Sequence, residues 1–180
     1  MTPILKSIMS DIISSEYTAT AIMGEYMATT QMMGYNGFKR LFRYMARDRL
    51  EHALCLKNFL ADYLKENPEV SISYVSKATN GNGSNSIDTI ITSVMSYGQT
   101  QLEKLKRAAT MSITDNEHLL MGKLEDMICD QEEELACIRR IKDEYTNSKQ
   151  FNDVSYLSRK DMQLHDKYKC KESKKQNKKY

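Results

Sequence analysis

Five polar residues sit where helical spacing puts apolar ones, and together they could do chemistry. Glu16 falls on the stripe Leu5, Met9, Ile12, Glu16, Thr20, Met23 and Met27. Arg49 and His52 interrupt Phe38, Leu41, Phe42, Met45, Leu56, Phe59 and Tyr63. Gln131 and Glu134 interrupt Leu120, Leu124, Met127, Ile138, Ile141 and Tyr145. Residues spaced three and four apart share one face of a helix, so each polar group is directed into a core. Buried carboxylates must be paired, hydrogen-bonded or bound to a cation, and carboxylate oxygens with an imidazole suit iron, manganese or zinc. Arg49 offers a metal-free solution, because its guanidinium can fork to one or both glutamates.

The elements that would carry these residues are long helices. Scarce Gly and Pro, abundant Met, Leu, Lys and Glu, and 3.6-residue periodicity predict an all-α fold. Four helices are expected over about 3–31, 38–65, 87–111 and 117–145, with Pro3 well placed at a helix start and Gly34-Tyr35-Asn36-Gly37 as a breaker. Residues 67–85 hold Pro68, Gly81, Gly83 and several Ser and Asn, too many for a tight turn, and predict one long crossover between the second and third helices. A short fifth helix is expected over 153–165. The division is a bundle over 1–145, followed by a short helix and a lysine-rich tail over 146–180. Ionisable groups at mid-height on three helices point to a four-helix bundle with a central polar layer.

The 180 residues, 41% hydrophobic and 28% charged, suffice for one compact domain. The net charge of +2 hides an asymmetry: Lys167 to Tyr180 holds seven lysines and one acid, so the remainder carries −4. With almost no large aliphatic residue, that segment is expected to be disordered in isolation. There is no apolar run of membrane-spanning length and no signal-peptide pattern, so neither membrane insertion nor secretion is expected. Cys55, Cys129, Cys137 and Cys170 lack C-x-x-C spacing and read as reduced thiols of a cytoplasmic protein, not as a zinc site. The many methionines are core filler.

From Lys6 to Tyr145 the chain resembles the ferritin family, particularly the non-haem bacterial ferritins. The resemblance is carried by Gly37-Phe38-Lys39-Arg40-Leu41-Phe42-Arg43 leading into Leu50-Glu51-His52-Ala53-Leu54, and by Asp130-Gln131-Glu132-Glu133-Glu134, similar to the family's E-Q-x-E-E run. Glu16 precedes His52 by 36 residues, as the first-helix ligand precedes the histidine in that family. The resemblance implies that Glu16 and His52 match ligands of a di-iron oxidation centre and that Gln131 and Glu134 match its fourth-helix groups. Asp48, Asp130 and Glu133 match acids of an accessory metal site. Two central carboxylates are missing: Arg49 stands where an E-x-x-H motif needs its bridging glutamate, and Gly98 stands at the third-helix glutamate. Met23 stands where a tyrosine is common, and Leu50 replaces the haem-binding methionine of bacterioferritins, so no haem is expected.

An arginine in place of a bridging carboxylate changes the local charge by two units and puts a cation where metal would sit. Glu16 and His52 could hold one iron ion if Arg49 swings away, or the layer could be a metal-free ion-pair cluster, similar to the centre of animal ferritin light chains. The second reading is preferred. The resemblance implies an iron-storage or cage-forming subunit with an impaired ferroxidase centre, a homo-oligomer that could reach a 24-subunit shell or mix with active subunits. The alternative is a ferritin-like interaction protein whose basic tail binds nucleic acid or another polyanion. Self-association is expected to use Tyr17, Tyr26, Phe42 and Tyr44, aromatic residues partly off the inner stripe.

Overall fold

The computed structural model describes residues 1–65, 70, 86–150 and 156–177. They form five helices: α1 (Pro3–Met32), α2 (Asn36–Leu64), α3 (Ile87–Thr114), α4 (His118–Gln150) and α5 (Tyr156–Asn177). Local chemistry sets their ends. The Thr2 hydroxyl accepts from the Leu5 amide and Pro3 takes the first turn of α1. Ser86 caps α3 through the Thr89 amide, with Asp88 favourable beside the positive end of the helix. Gly34, at φ 82°, turns the chain between α1 and α2, and Asn116, at φ 58°, turns it between α3 and α4.

Helix α1 pairs with α2 and α3 with α4, while α1 also meets α3 and α2 meets α4. Thr2 hydrogen-bonds Asp115 through both its amide and its hydroxyl, so the start of α1 lies against the end of α3. The chain must therefore leave α2 at one end of the bundle and enter α3 at the other. The expected crossover falls on 67–85, which apart from Val70 lies outside the described residues. The described residues form the all-helical bundle that the sequence predicts. No described helix is long and apolar enough to cross a membrane.

The interior is two apolar cores with a polar waist between them. One core gathers Phe38, Leu41, Phe42, Met45, Ile91, Val94 and Ile138 with Met23. The other gathers Leu5, Met9, Ile12, Leu56, Leu105, Leu124 and Met127. Between them Glu16, Arg49, His52, Gln101 and Gln131 are buried. This is the layer that the interrupted stripes place at mid-height.

The C-terminal helix differs from the expected one. It runs 22 residues to Asn177, well beyond 165, and takes in most of the lysine-rich segment expected to be disordered. The segment has no Gly or Pro and half of it is Lys, a good helix former, and α5 is anchored by the buried Tyr156, Leu164 and Tyr168. Helix α4 likewise continues to Gln150. Asp161 of α5 caps α2: its Oδ1 accepts from the amides of Gly37 at 2.7 Å and Phe38 at 3.0 Å. Lys160 pairs with Glu144 at 2.6 Å, and the Tyr156 hydroxyl donates to the Ile141 carbonyl at 3.2 Å. Docking of α5 also revises the expected association surface: Phe42 is fully buried and the Tyr44 ring packs on Tyr168 at 5.2 Å.

Candidate metal centre

Glu16 enters the waist from α1, Arg49 and His52 from α2, Gln131 and Glu134 from α4. The Arg49 guanidinium donates to Gln131 Oε1 and to Glu134 Oε2, and its Nη1 lies 3.6 Å from Glu16 Oε1. The last distance is an ion pair without a hydrogen bond. Neither oxygen of Glu16 has a hydrogen-bond partner, nor does Glu134 Oε1. The cation thus stands between two carboxylates, binds one closely and leaves the other electrostatically paired but unsatisfied.

Burial raises the Glu16 carboxyl above its ordinary pKa, with Arg49 opposing. Burial likewise pushes Glu134 up to about 7, against the pull of Arg49 and with help from Asp48 and Glu16. The arginine is raised too, since the attraction of Glu134 and Glu16 outweighs its own desolvation. One guanidinium serves two carboxylates: the cation gains from both, and neither anion recovers the cost of leaving water. An acid whose folded pKa lies above its unfolded one adds stability at low pH and loses it as pH rises through the folded value. The urea midpoint should therefore fall from pH 5 to pH 8, and Glu134→Gln should flatten that fall. A midpoint that rises over the same window would contradict the assignment.

His52 turns from Arg49 toward the side of the bundle, where its Nε2 lies 3.2 Å from Asp130 Oδ2; its Nδ1 is buried without a partner. Asp130 and Glu133 are exposed on α4. Asp48 faces Tyr44, whose hydroxyl is pushed up to about 12 by burial first and by Asp48 second. The predicted residues thus divide: Glu16, Gln131 and Glu134 converge on Arg49, His52 pairs with Asp130, Asp48 lies close enough to act on Tyr44 and Glu134, and Glu133 is exposed on α4. Among the described residues no group of three or more His, Cys, Asp or Glu gathers to hold a metal ion. Neither Glu16, His52 and Glu134 of the expected central site nor Asp48, Asp130 and Glu133 of the expected accessory site make such a group.

Two tyrosines and a glutamine not singled out from sequence complete the site. Tyr97 donates to the Ser15 carbonyl at 2.6 Å and accepts from Gln101 Nε2 at 2.8 Å, tying α3 to α1 beside Glu16. Their i, i+4 spacing on the third helix is the signal that could have found them. Tyr168 brings α5 close enough for the Glu134 charge to raise its hydroxyl, after the larger effects of burial and Cys137. A cavity of about 10 Å³ touches Arg49, Tyr97, Gly98, Gln131 and Glu134, the size of one water. A Cβ at Gly98 would lie 2.9 Å from Leu135 Cδ2 and 3.0 Å from Gln131 Nε2, both ends of flexible side chains.

The chain resembles the open-pore ferritin of the hyperthermophilic archaeon Archaeoglobus fulgidus, with TM-score 0.79 and 14% identity over 92% of this chain and 98% of that one. A closed form of the Archaeoglobus fulgidus ferritin, engineered by site-directed mutagenesis, aligns with TM-score 0.77 and 14% identity, covering 92% of this chain and 96% of its own. A PmFTN variant soaked in iron aligns with TM-score 0.76 and 16% identity, covering 89% and 98%. No protein-family profile and no curated protein sequence matches the chain. At these identities the likeness is one of fold.

Proposed function

We propose that this chain is a ferritin-like iron-storage or cage-forming subunit whose central oxidation site is closed by an internal cation. The observation that carries the reading is Arg49, seated between Glu16, Gln131 and Glu134 in the polar layer. A pair of close ferrous ions needs several anionic oxygens, and here the positive charge between the two glutamates is already supplied. Any contribution to iron storage then lies in the assembled protein and its surface acids, not in oxidation at the waist. Self-association is part of the proposal, supported by Ile4, Ile113 and Leu119, exposed apolar residues near one end of the bundle.

The test is oxidation of ferrous iron by oxygen, followed spectroscopically on the purified protein. The unmodified chain should run no faster than the solution background. Arg49→Glu restores an E-x-x-H arrangement with His52 and should create a metal requirement. Arg49→Glu with Gly98→Glu should bind more iron than either single variant, once Leu135 and Gln131 yield to the new side chain. Rapid oxidation by the unmodified protein, abolished by His52→Ala, would refute the closed-site reading.

A further inference from the structure

At the bundle end where α2 begins, away from the waist, a cavity of about 100 Å³ opens between α2 and α5. That is several times the space one water needs. Its described lining is Asn36, Lys39, Arg40 and Arg43 from α2 and His165 from α5. The α2 residues follow each other at i, i+3, i+4 and i+7, so helical geometry turns three cationic side chains onto one face. Docking of α5 adds the imidazole opposite. Arg40 Nε donates to His165 Nδ1 at 3.3 Å, which places the ring proton on Nε2.

We propose that this cavity binds a phosphate group. The chemistry of the lining favours a tetrahedral oxyanion: ammonium and guanidinium groups are donors without acceptor capacity, and His165 with its proton on Nε2 adds a further donor. The backbone donors at this helix end are not what would hold the ligand, since Asp161 already takes the amides of Gly37 and Phe38. The side chains carry the site, and two of its walls belong to different helices. A bound phosphate therefore fastens α5 to α2 in addition to the existing Asp161 cap. The site is independent of the waist and of any iron chemistry there.

Isothermal titration of the full chain with inorganic phosphate at low ionic strength tests the assignment. Saturable binding at millimolar phosphate is expected, with sulfate competing and chloride not. Lys39→Gln with Arg43→Gln, which leaves the Arg40–His165 pair intact, should weaken binding by about tenfold or more, while Lys57→Gln, an exposed lysine away from the cavity, should leave it unchanged. Phosphate should raise the melting temperature of the unmodified protein and not that of the double variant, a readout that also shows the variant is folded. Phenyl phosphate competing with the same sensitivity would assign the ligand as a phosphoryl group on a larger molecule, and failure to compete would assign free phosphate; both support the site. No saturable binding, or binding unaltered in a folded double variant, would overturn it.

Discussion

Arg49→Met should destabilise the protein by about 3–5 kcal/mol at neutral pH, since it strands Glu16 and Glu134 in the core without their cation. The loss should shrink toward pH 5, where the abandoned carboxylates take up protons. Reversing all three charges to apolar groups separates the burial of charge from the shape of the site. Glu16→Leu, Arg49→Met and Glu134→Leu together should return stability to the unmodified level or above, because the desolvation cost leaves with the ions. Urea unfolding measures both. A single variant that loses less than about 1 kcal/mol would mean that water already reaches the layer and the guanidinium carries little of the compensation.

Gly37→Ala is the second large effect, and it acts by shape alone. A Cβ there would lie 1.8 Å from the Asp161 carbonyl oxygen and 2.7 Å from its carbon. The obstacle is backbone, so no side-chain rotation relieves it and α5 must lift from α2. Leu164 and Tyr168 then lose their burial, and with each such residue contributing about 1.5–3 kcal/mol, a net loss of about 3 kcal/mol is expected after partial relaxation. Cys137, half-buried with its sulfur 3.8 Å from the Tyr168 hydroxyl, should react faster with a thiol reagent. Asp161→Asn, which weakens only the cap, should cost about 1 kcal/mol and leave Cys137 protected. Equal reactivity in Gly37→Ala and the unmodified protein would show that α5 is held by other means.

What could be read from the sequence follows the range of the interactions involved. Helices α1 to α4 write their inner faces locally, every third or fourth residue, so Glu16, Arg49 and Glu134 announce themselves as interruptions at one height. The pairing of Arg49 with those acids follows from charge alone. Partner choice is less legible: His52 and Asp130 meet across 78 residues of chain, and nothing near either residue sets their approach. Helix α5 is least legible. Its register rests on Tyr156, Leu164 and Tyr168, too sparse to make a stripe, and its cap is spent on another helix 124 residues away. Gly37 reads as a breaker beside Gly34, yet it lies inside α2, where its missing side chain admits the backbone of α5.

The polar waist also acts as an alignment mark. In a bundle filled only with Leu, Ile and Met, a helix that slides by one or two turns meets another apolar layer and loses little, so several alignments compete. Here the charged members come from α1, α2 and α4, and Tyr97 ties α3 to the Ser15 backbone of α1. Sliding any one helix would bury a lone charge, or an unsatisfied hydroxyl, against hydrocarbon. The layer thereby selects one vertical arrangement of four helices out of many, much as a single buried polar residue fixes register in a coiled coil. It would do so in a chain that never meets iron.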